Sequence, residues 1–173
     1  MPESQFLQGL PALVDGRCRI IVLGSFPGMK SLASQTYYGN PFNHFWELVA
    51  NARNSPLPPF SDNPARCEWL LGLGIASWDV VGECIRPGSL DQSIRQPRFN
   101  DIAGLLARWP GIKRLVLNGG TAARLFDRHI AASLRAISSV RVPSSSPIPS
   151  RDFRRREDKQ PAWTAALDSE TLP

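Results

Sequence analysis

"CRIIVLG", residues 18–24, is the stretch on which the fold turns. Ile20, Ile21, Val22 and Leu23 run without a polar interruption and are closed by Gly24, the signature of a short strand buried on both faces. The same signature returns in "GIASWDVV" (74–81), "KRLVLNGG" (113–120) and "AISSVRVP" (136–143), and each reads as a buried strand. Between them lie helical patterns: "HFWELVANAR" from His44, "NPARCEWLLGLG" from Asn63, "DIAGLLARW" from Asp101 and "TAARLFDRHIAASLRA" from Thr121. Strands separated by helices predict an α/β fold, a parallel sheet with helices on both faces. Ligands in such folds collect at the C-terminal strand ends, so the loops after Gly24, Val81, Asn118 and Val142 are expected to converge on one crevice.

The rest of the chain fits one domain over residues 1–173. Its 42% apolar content supports a sizeable core, and 20% charged residues do not suggest disorder. The net charge of +5 favours phosphate-rich partners, and 17 of the 20 basic residues are arginine, the residue suited to bidentate phosphate contacts. An arginine-rich codon usage explains the same bias. Cys18, Cys67 and Cys84 are scattered and odd in number, so neither a disulfide framework nor a metal cluster is indicated, and a reducing, cytoplasmic setting is expected. No apolar run approaches the roughly 20 residues of a membrane span, and "MPESQFLQGLPALVDGR" lacks the basic start and long apolar stretch of an export signal. "NSPLPPFSDNP" (54–64) is a proline-rich connection. From about residue 150 the chain becomes a polar, arginine-rich segment with Arg154, Arg155 and Arg156. It reads either as a linker to a short final helix "AWTAALDS" or as a DNA contact.

The loop after the first strand, "GSFPGMKSLASQTYYGNPFNHFW" (24–46), holds more aromatics than turn punctuation needs. Gly24 and Gly28 allow close backbone approach to a ligand, and backbone N–H groups in such a turn can hold an anion or a carbonyl oxygen. The spacing matches neither G-x-x-x-x-G-K-[ST] nor G-x-G-x-x-G, which disfavours triphosphate and dinucleotide enzymes. No acid occurs in this loop, and His44 and His129 are the only histidines, which weakens carboxylate-pair and Ser/His/Asp hydrolysis. An uncharged pocket of aromatic planes and amides reads as a nucleobase site.

Five blocks in order, "VLGSFPG", "YYGNPFNHFW", "GIASWDVV..C.RPGSLD.SI", "LVLNGGTAARLF" and "VPSSSP", resemble the uracil-DNA glycosylase superfamily, specifically its hypoxanthine-DNA (deoxyinosine) glycosylase branch, over roughly residues 18–150. The resemblance implies a three-layer α/β/α sandwich with a central four-stranded parallel sheet. It also implies a monofunctional, monomeric DNA repair enzyme of the cytoplasm (nucleoid-associated if bacterial). Such an enzyme flips a deaminated base out of double- or single-stranded DNA and hydrolyses its N-glycosidic bond with neither metal nor cofactor. Where many relatives carry a water-positioning Asp or Asn in the first motif, Phe26 stands here, and the resemblance moves that role to Asn43. It assigns stacking on the flipped base to Tyr38, with Tyr37 the nearest substitute. Base-edge contacts fall to Asn118 and to the backbone of Gly24, Ser25 and Phe26. The loop "VPSSSPIP" replaces an "HPS" motif; Ser144, Ser145 and Ser146 are expected to pinch phosphates while Pro143 and Pro147 stiffen the loop against the duplex. Lys30, the one lysine expected near the site, is given no Schiff-base role. Asn43 also reads as a helix N-cap, Tyr38 as ordinary packing and Asn118 as a turn residue. A uracil/thymine mismatch glycosylase and an inactive DNA-binding member of the fold remain open alternatives.

Overall fold

The computed structural model describes residues 5–134 and 137–173. Its centre is a four-stranded parallel sheet in the order β3-β2-β6-β7, made of β2 (Ile20–Gly24), β3 (Ile75–Asp79), β6 (Arg114–Asn118) and β7 (Ser138–Val142). Alternation along the strands sends successive residues to opposite faces. Ile20, Val22, Ile75, Val116 and Val142 meet Phe45, Leu48 and Val49 of α2 (Phe45–Ala52), Leu70 of α3 (Asn63–Gly72) and Trp163 of α6 (Arg156–Ala166). On the other face Ile21, Leu23, Ala76, Leu115 and Leu117 meet Ile102 and Leu105 of α4 (Ile102–Arg108) and Ala122, Ala123 and Phe126 of α5 (Gly120–His129). The result is the expected α/β/α sandwich with its central parallel sheet.

Helix boundaries follow local chemistry. The side chains of Asp62 and Asp101 each accept a hydrogen bond from the third residue on, Ala65 and Gly104, and so cap α3 and α4. Under the proline-rich connection, Arg66 donates to the carbonyls of Pro58 and Pro59 and lies over the rings of Trp46 and Phe60, which fastens that loop to the fold.

Four expectations need correction. "GIASWDVV" is two strands: the chain leaves the parallel sheet at Asp79 and, as β4 (Val81–Ile85), joins a separate antiparallel sheet β1-β4-β5 with β1 (Leu7–Gln8) and β5 (Arg95–Phe99). The fourth strand is exposed along most of its length, because β7 lies at the sheet edge with one neighbour and carries Ser138, Ser139 and Arg141. Its expected first residue, Ala136, and Arg135 lie outside the described residues. The helix after Gly119 ends at His129, followed by a 3-10 turn at Ala131–Ser133. The arginine-rich segment is no linker over its second half, since α6 begins at Arg156. Pro161 marks a boundary by rule, yet burial of Trp163 and Lys159 carries the helix through it.

Candidate active site

The register places Asp79, Gly24, Asn118 and Val142 side by side in one row at the C-terminal edge of the parallel sheet. Short α1 (Met29–Ser34), the Tyr37–Asn43 turn, the start of α2 and the Pro143–Pro147 loop surround that row. A Cβ on Gly24 would sit 2.5 Å from the Asp79 carboxylate and displace it, so glycine is what lets that carboxylate pack against the end of β2. Gly119 follows with φ +95°, and a Cβ there would sit 2.9 Å from Ser144, so glycine is also what lets the 143–147 loop close over β6.

Asn118 lies at the middle of this construction. Its Oδ1 accepts from the Ser145 backbone N–H at 2.9 Å, while its Nδ2 donates to Ser145 Oγ at 2.9 Å and to the Tyr38 hydroxyl at 3.1 Å. Both amide protons are therefore used within the protein, and a second lone pair on Oδ1 is what remains for a ligand. Tyr38 has φ +50°, a strained conformation for a bulky residue. Its ring is held by stacking on Phe45, centroids 3.7 Å apart, and edge-on by Trp46, so at most one face is left for a base. Burial pushes its hydroxyl well above the usual phenol range, which keeps it neutral. Tyr37 is turned away, its hydroxyl donating to the Pro11 carbonyl.

Asn43 stands one residue before His44, whose backbone N–H donates to the Ser145 carbonyl at 2.9 Å. The backbone next to Asn43 is thereby tied to the same loop that Asn118 holds. The N-cap position of α2 is His44, whose side chain makes no capping bond; Asn43, one residue earlier, accepts from the Phe45 N–H at 3.0 Å through Oδ1 and so satisfies the first N–H of the helix from outside it, with a lone pair and its NH2 group left over.

Among the first-loop residues, Ser25 donates from Oγ to Asp91 at 2.7 Å. Phe26 sends its ring into a cluster with Val81 and Cys84, beneath the Arg86 guanidinium, so its side chain is packing and only its backbone is available to a base. The N–H groups of Ser25 and Phe26 make no backbone hydrogen bond among the described residues. In the fifth block, Ser145 is buried and structural, Ser144 is exposed, and the carbonyls of Pro143 and Ser146 are anchored by Trp163 Nε1 and Lys159 Nζ.

Sequence reasoning missed several groups. Asp79 is 6% exposed, its Oδ2 lacks a partner among the described residues, and its pKa is pushed up to about 7 by burial, reinforced by Asp91 and opposed by Arg86. Lys159 reaches in from α6 to within 3.2 Å of His44 Nδ1, so Lys30, which lies over the exposed Phe42 ring, is not the only lysine beside the site. Burial lowers Lys159, and burial together with Lys159 lowers His44. Phe42 and Ile148 are large apolar side chains left exposed next to Asn43 and the 143–147 loop. A lone acid in an apolar run and a lysine two residues before a proline carry no signal in sequence alone. Exposed apolar residues beside glycine and proline turns are a signal that could have been used. Among the described residues no group of three or more His, Cys, Asp or Glu side chains is placed to hold a metal ion, and no helix is long and apolar enough to cross a membrane.

No family profile matches the chain. A protein of Methanosarcina acetivorans named hypoxanthine DNA glycosylase is 36% identical over 160 residues, covering 92% of this chain and 97% of that relative. One of the same name from Methanosarcina barkeri is 33% identical over 112 residues, 65% of this chain and 70% of the relative. A solution NMR structure from M. acetivorans, provisionally named a uracil DNA glycosylase, superposes with a TM-score of 0.77 at 29% identity, over 94% of this chain and 97% of that one. A relative 36% identical over 92% of this chain, a second of the same name and a solved neighbour with the same sandwich give one conclusion: the chain belongs to the hypoxanthine DNA glycosylase family of the uracil-DNA glycosylase superfamily.

Proposed function

We propose that the protein is a monofunctional DNA glycosylase that extrudes a deaminated base, hypoxanthine and also uracil, and hydrolyses its N-glycosidic bond to leave an abasic site. The observation that carries this reading is that Ser145 ties the chain beside Asn43, through the His44 N–H, to the Asn118–Tyr38 pair. The flipped base enters over Gly24, with the open face of Tyr38 against its ring. Its polar edge meets the N–H groups of Ser25 and Phe26, the remaining lone pair of Asn118, and the Asp79 carboxyl at the other side of Gly24. Asn43 directs water at the anomeric carbon from the lone pair and NH2 group its capping bond leaves over. As the glycosidic bond lengthens, charge grows on the departing base, and preorganised N–H dipoles stabilise it without a histidine in the 143–147 loop. Phe42 and Ile148 are placed to fill the gap in the stack, while Ser144 and Ser146 meet the backbone phosphates.

The test is a panel of duplexes carrying inosine, uracil, xanthine or a G·T mismatch, scored for free base. Release of hypoxanthine with an intact strand supports the reading. Binding of the lesion duplexes without any free base makes the protein an inactive DNA-binding member of the fold instead.

A further inference from the structure

The fold spends most of its arginines on itself. Arg17, Arg98 and Arg156 pair with carboxylates, and Arg19, Arg53, Arg66, Arg86, Arg95 and Arg114 donate to backbone carbonyls. Arg124 and Arg128 of α5 and Arg141 of β7 differ. All three are exposed, none forms an ion pair among the described residues, and they line one groove of about 770 Å³ between α5 and the sheet edge, with Asp127 as its acid. Arg141 lies against Gly120 at the start of α5, and Arg128 stands in its last turn, so the three guanidiniums are spread along the helix.

The groove starts at the strand end that carries Asn118. Leu117 and Gly120, which flank Asn118 and Gly119, form its near end, and Arg124 is close enough to Asp91, the partner of Ser25, to favour that carboxylate's charge. From Gly120 to Arg128 is about 12 Å of helix, at 1.5 Å per residue. A DNA strand presents a phosphate about every 3.4 Å along its axis, so this length covers about three phosphates. Rigid forks of guanidinium donors with no internal partner suit phosphate oxygens. We propose that the α5–β7 groove holds the phosphodiester backbone of DNA flanking the extruded base. The proposal rests on the glycosylase reading and adds a binding surface separate from the Pro143–Pro147 loop.

The test uses Arg128→Gln/Arg141→Gln, with Arg128→Lys/Arg141→Lys as the charge-preserving control. Plain-duplex affinity is measured across a salt series, and base release in single turnovers is measured on inosine duplexes trimmed on one side of the lesion or on the other. Losing two phosphate contacts flattens the slope of log affinity against log salt by about 2 and weakens low-salt binding by about 10-fold, while the lysine control keeps the slope. Trimming one flank, and not the other, brings the wild type down to the glutamine variant. An unchanged slope in the glutamine variant, or an equal defect on both trimmed substrates, overturns the proposal. A wild type that releases no base while the salt slopes still separate refutes the glycosylase reading and leaves the groove standing.

Discussion

Asn118 and Ser145 bind each other twice, Oδ1 to the Ser145 N–H and Nδ2 to its Oγ, both at 2.9 Å. The pair bridges the end of β6 and the loop after β7, and the second Nδ2 proton extends it to Tyr38. An amide engaged in this way shapes the crevice before it can touch a base.

Asn118→Ala therefore tests two roles at once. It leaves the buried Ser145 groups without partners, a loss of roughly 1 to 3 kcal/mol. Base release from inosine and uracil duplexes is expected to fall, and Ser145→Ala should reproduce part of that fall. Plain-duplex binding should hardly change, because phosphate contacts carry it. Equal losses in binding and catalysis would show that the pair only supports the loop.

Asn43→Ala is expected to slow base release by at least about 10²-fold, the usual size for a positioned catalytic group, and to cost about 1 kcal/mol as a lost cap. Asn43→Ser separates these effects. Serine can accept from the Phe45 N–H and restore stability, whereas the amide it lacks leaves base release slow. Thermal midpoints and single-turnover rates of both variants make the comparison. Wild-type turnover in either variant removes Asn43 from the mechanism.

What the sequence made legible was the part encoded in contiguous runs. β2, β3 and β6 announce themselves as apolar stretches, and Asn118 and Gly24 close two of them, so the row of strand ends could be anticipated. The β1-β4-β5 sheet could not, because "RQPRF" is polar, contains Pro97 and pairs only through a register irregularity. Asn43 and Tyr38 were nameable from their block. That the Asn118 amide is already spent depends on Ser145, 27 residues away, and that Lys159 reaches His44 depends on a helix 115 residues away. Such pairings belong to tertiary packing, which local pattern does not encode.

The C-terminal helix is expected to be integral to the domain. Trp163 is fully buried between α2 and the sheet, and its Nε1 donates to the Pro143 carbonyl of the site loop. Trp163→Ala should destabilise the protein by about 3 to 5 kcal/mol, and a chain ended at residue 150 should lose cooperative unfolding. Cooperative melting of the shortened chain near the wild-type midpoint would show that α6 is dispensable.

The product is expected to be an intact strand with an abasic site. Lys159 touches His44, the neighbour of Asn43, but its Nζ is committed to the Ser146 carbonyl at 2.7 Å and to His44 Nδ1, which leaves it badly placed to attack a sugar aldehyde. Borohydride added during turnover should trap no covalent protein–DNA adduct. A trapped adduct lost in Lys159→Met would assign that lysine a covalent role.

Asp79 makes stability depend on pH with a definite sign. In the unfolded chain its carboxyl ionises near 3.8, and in the fold burial holds the proton to about 7. Asp91 from the turn after β4 adds to that effect, Arg86 opposes it, and Tyr37 and Tyr38 face the carboxyl as neutral groups. Between these values the unfolded chain has lost a proton that the folded chain keeps. Stability therefore falls as pH rises from about 4 to 7, and the loss is complete above 7. Asp79→Asn has nearly the same shape and carries no charge at any pH. It should melt higher than the wild type at pH 8, with the difference shrinking steadily toward pH 4. A residual slope should survive, because burial also raises the pKa of Asp91, which acts in the same direction. Thermal midpoints at pH 4, 5, 6, 7 and 8 decide the matter, and parallel curves for the two proteins would mean that Asp79 is ionised in the fold or reaches solvent.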